Sequence, residues 1–333
     1  MSVVAVTAFG VRPAEACAPA WPGNEPVQIA GEEALIVWDG ARHLEHFVRS
    51  ATFQGGSATF GFLVPVPALP ELAEADERIF ERVEAFLESQ RPEEVRWRFE
   101  GLTSFMARRI ADLPASAGVT LLSAARVAGM DAVVLETDSA KALGDWLAAR
   151  DFVFRPELEA WLEPYVREHF KIVAFKYARD AGEPRAGTRA VRLTFSTERP
   201  FFPYREPRDA TRPIPALFRL HVLSTTSMSG VLGEARTPWP AAVRYSGPFT
   251  AEPPPFARIP TPWLTMFEEV AQKRPVAGDL FLEPTAKPSP VAASPRVVER
   301  RWGIPVEALL LFVVVSGVTV ALIARSRAQP VSK

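Results

Sequence analysis

At 333 residues with 48% hydrophobic composition, the chain can bury one large core or two smaller ones. Its formal net charge is −1 and its Lys and Arg residues are scattered, which excludes the basic footprint of a nucleic-acid binder. The 32 prolines, clustered over 200–215 and 253–262, exclude an all-helical fold and point to many extended loops.

The first 16 residues read as a signal-peptide-like segment. Val3 to Phe9 is a short apolar run, and Ala14-Glu15-Ala16 has the small-x-small pattern of a cleavage site. The run is near the lower length limit and no Lys or Arg follows Met1, so the competing reading is a cytoplasmic tail. Cys17 comes next and is the single cysteine, so no internal disulfide can form. It is expected to be a plain thiol near the mature N-terminus. Glu15 and Pro13 fit poorly before a lipidated cysteine.

Strand patterns follow. Ala34 to Trp38 is apolar, His43 to Phe53 roughly alternates, and Phe60, Phe62, Val64 and Val66 share one parity within Thr59 to Val66. Gln54-Gly55-Gly56 supplies turn chemistry for a hairpin between the last two, and Pro65, Pro67 and Pro70 end the strand. Glu71 to Glu88 is expected to be an amphipathic helix, with Leu72, Ile79, Val83, Phe86 and Leu87 on one face. Arg91 to Gly118 carries no clear period. Val119 to Val127 and Asp131 to Thr137 read as strands around Gly129. Asp138 is the expected N-cap of a helix through Arg150 that buries Ala140, Leu143 and Leu147. A third helix starts at Pro156 and buries Leu158, Trp161, Leu162 and Tyr165, with Pro164 expected to kink or split it. Phe170 to Tyr177, Ala190 to Ser196 and Leu217 to Leu223 are further strands. Strands at the start and again after the helices predict an α+β fold with an antiparallel or mixed sheet and about three helices.

Residues 17–283 are therefore assigned to a folded body. Residues 284–301 are rich in Pro, Ala and Ser, lack aromatics, and read as an extended stalk of about 55 Å at about 3.1 Å per residue. Ala308 to Ala324 then runs without a charge. Seventeen helical residues reach about 26 Å, and the stretch back to Trp302 reaches about 35 Å, which brackets a hydrocarbon core of about 30 Å. Residues 302–324 are expected to cross the lipid bilayer, leaving 325–333 as a short basic tail. Flanking basic residues balance, Arg296, Arg300 and Arg301 before against Arg325, Arg327 and Lys333 after, so orientation rests on the N-terminal signal: body outside the cytoplasm, tail inside.

Several segments resemble one bacterial family, catalogued as domain of unknown function 2330. They are ACAP (Ala16 to Pro19), EEALIVWD (Glu32 to Asp39), EHFVR (Glu45 to Arg49), FGFLVPVPALPEL (Phe60 to Leu72), ALGDWLAARDFVF (Ala142 to Phe154), FKIVAFKY (Phe170 to Tyr177) and VRLTFSTERPFFPYR (Val191 to Arg205). The resemblance implies an exported, often membrane-anchored protein and brings no catalytic residue with it. Many members carry a second cysteine soon after the first. Here Ala20 to Pro26 stands in that place, so a paired-thiol role is not expected.

The residues offer little recognisable chemistry. His43 and His46, three apart on a strand, point to opposite faces, His169 precedes a strand, and His221 shares parity with Arg219 and is expected to face solvent. No nucleophile elbow, P-loop, dinucleotide fingerprint or calcium loop occurs, and Gly55-Gly56-Ser57 reads as a turn. The acidic run from Glu71 to Glu81 reads as a solvated helix face. No catalytic residue, metal or cofactor is assigned. Phe202, Tyr204, Trp239 and Trp263 in Pro-rich loops could form an aromatic groove for an envelope protein, peptide or glycan, against the commoner reading of such residues as core lining. The expected function is a membrane-anchored envelope protein with a non-catalytic binding or structural role. The alternative is an envelope hydrolase built from dispersed polar residues. Full-length protein should sediment with membranes when cells are broken without detergent, and a chain ending at Arg301 should not. In intact spheroplasts added protease should digest the body; a full-length chain in the aqueous fraction, or a protected body, would contradict the topology.

Overall fold

The computed structural model describes residues 12–13, 18–20, 27–55, 59–76, 78–98, 125–137, 139–149, 154–178, 185–187, 189–208, 216–271, 273–274, 278–301 and 318–319. The signal-like segment, Cys17, the span over 302–324 and the basic tail lie outside these residues, apart from 12–13 and a helical pair at 318–319. Among the described residues, no helix is long and apolar enough to cross a membrane.

In chain order the elements are β1 (Arg12–Pro13), β2 (Ala18–Ala20), β3 (Val27–Asp39), β4 (Leu44–Gly55), β5 (Thr59–Val66), β6 (Glu71–Glu74), α1 (Ile79–Ser89) and β7 (Glu93–Arg98). Then come β8 (Ala125–Val127), β9 (Met130–Leu135), α2 (Ala140–Ala148), α3 (Pro156–Arg167), β10 (Lys171–Ala178), β11 (Arg185–Gly187), β12 (Val191–Ser196) and β13 (Phe201–Phe202). The remainder are β14 (Ala216–Ser224), β15 (Met228–Leu232), β16 (Thr237–Pro238), β17 (Ala242–Pro248), β18 (Trp263–Ala271), β19 (Leu280–Pro284) and β20 (Arg296–Arg301). The α+β expectation holds: the described residues form three helices and sheets that are antiparallel or mixed.

The chain divides into two units. The larger comprises Met1–Gln90 with Ser116–Ala293. Its main sheet runs β17-β18-β14-β3-β4-β12-β6, with β1 on β14 and β11 on β4. The β3–β14 pair is parallel and β3–β4 antiparallel, so the sheet is mixed. A second sheet runs β2-β5-β10-β9-β8, and a third β13-β19-β15-β16. The smaller unit contains the parallel pair of β7 and β20.

Alternation explains the layering of the larger unit. On β3, Ala34, Ile36 and Trp38 join the same apolar cluster as Phe62, Val64, Phe175 and Leu282 of the other two sheets, while Leu35 and Val37 pack with α1 through Val83, Phe86 and Leu87. On β10, Val173 and Phe175 face the main sheet and Ile172 and Ala174 face α2 and α3. Central strands are thus covered on both faces, which is why Ala34 to Trp38 reads as an unbroken apolar run.

Four expectations are corrected. Glu71–Glu74 is an edge strand on β12, with Leu72 opposite Leu193, and α1 begins only at Ile79. The open edge of β12 captures the segment. Asp76 then serves the helix start, accepting from the Arg78 N–H at 3.0 Å and from Arg82 at 2.9 Å. No hairpin joins β4 to β5, because β4 is flanked by β3 and β12 and the chain crosses to the second sheet, where β5 pairs with β10. Ser139 caps α2, its hydroxyl accepting from the Ala142 N–H, one residue after the expected Asp138. Pro164 does not split α3, which continues to Arg167; so near the end the proline costs a single backbone hydrogen bond.

The body also reaches past residue 283. Val291 and Ser246 exchange backbone hydrogen bonds of 2.9 and 2.8 Å, and Ala293 is buried, so 284–293 lies on the body rather than in a stalk. Arg296–Arg301 is a strand, with the Arg296 N–H donating to the Pro92 carbonyl at 2.8 Å. Elsewhere the patterns hold. Val127–Met130 closes β8 and β9 with φ of 56° at Ala128 and 76° at Gly129, the double positive φ of a type I′ turn. Leu193, fully buried on β12 between β4 and β6, is one place where the main sheet meets its core. Leu193→Ala should lower unfolding free energy by about 2–5 kcal/mol in urea titrations. Ser196→Ala, at an exposed site on the same strand, should stay within about 0.5 kcal/mol.

Candidate functional site

The inner face of the main sheet, apolar by pattern, carries charges. Glu32 on β3 and Arg49 on β4 share the inward parity of Ala34 and Phe47, and Arg49 Nε donates to Glu32 Oε1 at 2.7 Å. Both side chains are essentially inaccessible to water. Arg274, just beyond β18, adds a second buried cation whose guanidinium lies 3.6 Å from Glu32, 3.6 Å from Glu206 and 3.9 Å from Glu269. Its Cζ sits 4.6 Å from the ring centroids of both Tyr204 and Phe218, so the rings complete the coordination of its charge. The Tyr204 hydroxyl donates to Glu269. Burial raises the pKa of that hydroxyl far above its ordinary value, and it stays protonated.

Beside this network lies a second buried carboxylate. Asp279 accepts from the Tyr165 hydroxyl of α3 at 2.7 Å and from the Arg205 N–H at 3.1 Å, while Arg205 Nε sits 3.0 Å from its other oxygen. Burial still pushes the Asp279 pKa up, outweighing the Arg205 charge. The Trp161 indole N–H donates to the Arg205 carbonyl at 2.9 Å and fixes the loop to α3.

These two clusters bound a cleft of about 420 Å3. Its wall on one side is α3, through Glu157, Trp161 and Pro164; facing it are Arg205, Glu206 and Arg208, the Gly233-Glu234 turn, and Lys273, Arg274 and Gly278. Glycine is required at 278, where φ is +121° and a Cβ would come within 2.6 Å of the Gly233 Cα. The Gly233 N–H donates to the Asp279 carbonyl at 2.8 Å, so the two backbone segments meet without side chains between them. A second cavity, about 300 Å3, is mainly apolar; Phe62, Val133, Trp146 and Leu147 line it, with Asp131 and Lys176 as its charged residues.

The four aromatics expected in a groove go elsewhere. Phe202 and Tyr204 are fully buried and Trp239 nearly so. Phe202 meets Phe47 edge to face and Phe218 at a tilt, and Trp239 lies against Tyr204 and Phe267. They line the core. Trp263 is half-buried and donates to the Ser246 hydroxyl at 2.9 Å. The histidines are not gathered. His43 and His169 are exposed turn residues with φ of 51° and 58°. His46 bonds Thr194 at 2.9 Å, and burial followed by the Arg192 charge lowers its pKa. His221 is not solvent-facing: it is fully buried beside Glu33 at 2.9 Å, because its side of β14 is covered by the layer containing Leu223 and Met266. The cleft residues were not singled out by sequence reasoning. A charge at inward parity, as at Glu32, Glu45 and Arg49, was the signal available.

Glu45 is the extreme case. It is fully buried on β4, accepts from the Phe201 N–H at 2.7 Å, and its other oxygen has no hydrogen-bond partner among the described residues. Burial raises its pKa well above 4.5 despite that backbone bond. The folded state therefore holds this proton more tightly than the unfolded chain. The resulting stabilisation is complete below the unfolded value of 4.5 and is lost as pH rises toward the raised folded value. Glu45→Gln should flatten this decline: the urea midpoint of the parent should fall more steeply with pH above 4.5 than that of the variant. Parallel curves would remove Glu45 as the cause.

Comparison with known proteins gives a family and no activity. No curated protein matches the chain. Two crystal structures of baculovirus P35 share 8% identity with it. One covers 80% of this chain and 97% of its own with a TM-score of 0.37; the other, a mutated P35 after caspase cleavage, covers 76% and 99% with a TM-score of 0.30. Scores this low do not establish a common fold. The family profile described as "Uncharacterized protein conserved in bacteria (DUF2330)" matches residues 13–246, more than half of the chain. The protein belongs to the DUF2330 family.

Proposed function

We propose that this DUF2330 protein is a membrane-tethered envelope protein whose body, outside the cytoplasm, binds a ligand in the cleft beside α3 without transforming it. The tether is the uncharged stretch within 302–324, whose length suits a bilayer. The observation that carries the binding reading is the composition of the cleft. Its lining is Glu, Arg, Lys, Trp, Pro, Ala and Gly, with no Ser, Thr, Cys or His among the described residues. Hydroxyl, thiol and imidazole nucleophiles are thus missing from the lining, and two of its three carboxylates are already engaged, Glu206 by Arg274 and Glu234 by Arg199, whereas recognition needs fixed charges and donors on a rigid frame. Arg205 Nε lies 3.0 Å from Asp279, and Glu206 accepts the Arg274 backbone N–H while its carboxylate stands 3.6 Å from the Arg274 guanidinium.

Ala160, at an exposed position of α3 on the cleft wall, provides the test. Ligand-observed NMR of the full-length protein in detergent, against a set of small polar fragments, should give binders that Ala160→Trp abolishes while the thermal midpoint is kept. Binders that persist in Ala160→Trp would move the site elsewhere. Product signals that grow with time would replace binding by catalysis.

A further inference from the structure

Resting on that reading, we infer that the cleft takes a small organic oxyanion, a carboxylate or a phosphate ester, held by Arg205, Arg208 and Lys273. Most acids around the cleft are already matched. Asp279 is engaged by Arg205 and Tyr165, Glu206 by Arg274, whose N–H donates to it at 3.2 Å, and Glu234 by Arg199 at 3.0 Å. The cations are not matched in the same way. Among the described residues Arg208 has no carboxylate partner, and the Lys273 ammonium donates only to the Arg208 carbonyl, at 3.1 Å.

Arg205 is set up differently. Its Nε faces Asp279, its ring neighbour Tyr165 lies 5.2 Å from Cζ, and its side chain keeps 28% exposure. Both of its Nη nitrogens lack a protein partner among the described residues, so the planar fork is oriented and its outer donors are open. A fork held beside Asp279 by charge, with its Nη edge outward, is suited to two parallel hydrogen bonds with a carboxylate or phosphate. Among the described residues Glu157 is the one lining acid with no cation at ion-pair distance, against two cations without a carboxylate partner, Arg208 and Lys273. Trp161 and Pro164 give the same cleft a short apolar wall, so an organic anion fits better than a bare inorganic ion.

Titration calorimetry of the full-length protein in detergent with phenyl phosphate, benzoate and the neutral benzamide tests this. At least one anion should bind, benzamide should not, and added salt should weaken the anion. The stronger of the two identifies the phosphate-ester or carboxylate source. Arg208→Gln combined with Lys273→Gln, both at exposed positions, should weaken the anion about tenfold or more with an unchanged thermal midpoint. Benzamide binding as tightly as benzoate, or anion affinity indifferent to the double substitution, would overturn the oxyanion assignment. If neutral fragments alone bind and are lost in Ala160→Trp, the cleft stands and the oxyanion falls; if nothing depends on Ala160→Trp, both fall.

Discussion

The desolvated contact between Glu32 and Arg49 is the constraint on which the larger unit turns. Two opposite charges on neighbouring strands of the main sheet point into a layer otherwise filled by Phe47, Phe62 and Phe218. A single buried charge there would cost several kcal/mol, whereas a hydrogen-bonded pair costs far less than either partner alone. The pair therefore discourages any slip of β3 against β4, since a one-residue shift of either strand would turn its own charge outward and leave the other buried without its partner. Arg274 extends the network from the end of β18 to Glu206, and so links the interior of the sheet to the rim of the cleft.

The aromatic cluster makes this tolerable. Tyr204, Phe218 and Phe202 surround the Arg274 guanidinium, and Phe62 lies 4.8 Å from the Arg49 Cζ. Ring faces replace part of the lost hydration. Phe202 and Tyr204, which suggest a binding surface from their Pro-rich surroundings, are thus used to hold charge inside the core, and the cleft is left to α3 and to charged residues from loops. Loops placed by packed strands and helices are a common site of recognition.

Periodicity was the most informative signal for local structure. Val191, Leu193 and Phe195 alternate and are buried; Leu158, Trp161, Leu162 and Tyr165 recur at helical spacing and are buried. Both patterns report on one face of one element. Glu71–Glu74 failed because its state depends on the edge offered by β12, far along the chain. The hairpin at Gly55 failed because both edges of β4 at that end were already taken, by β3 and β11. His221 was misplaced because alternation tells which side a residue faces and not what covers that side.

By itself the sequence determined the types of the strongly periodic elements, the α+β class, the family and a charge-free stretch long enough for a bilayer, since each depends on local composition or spacing. Tertiary structure alone decided which strands share a sheet, that residues 284–293 belong to the body, and that Arg205, Arg208, Lys273 and Gly278 meet across one cleft. Those are outcomes of long-range packing. Positions 161, 205, 233 and 278 become neighbours only when α3, the β15–β16 turn and the segment before β19 converge on Asp279, and no period in the chain encodes that convergence.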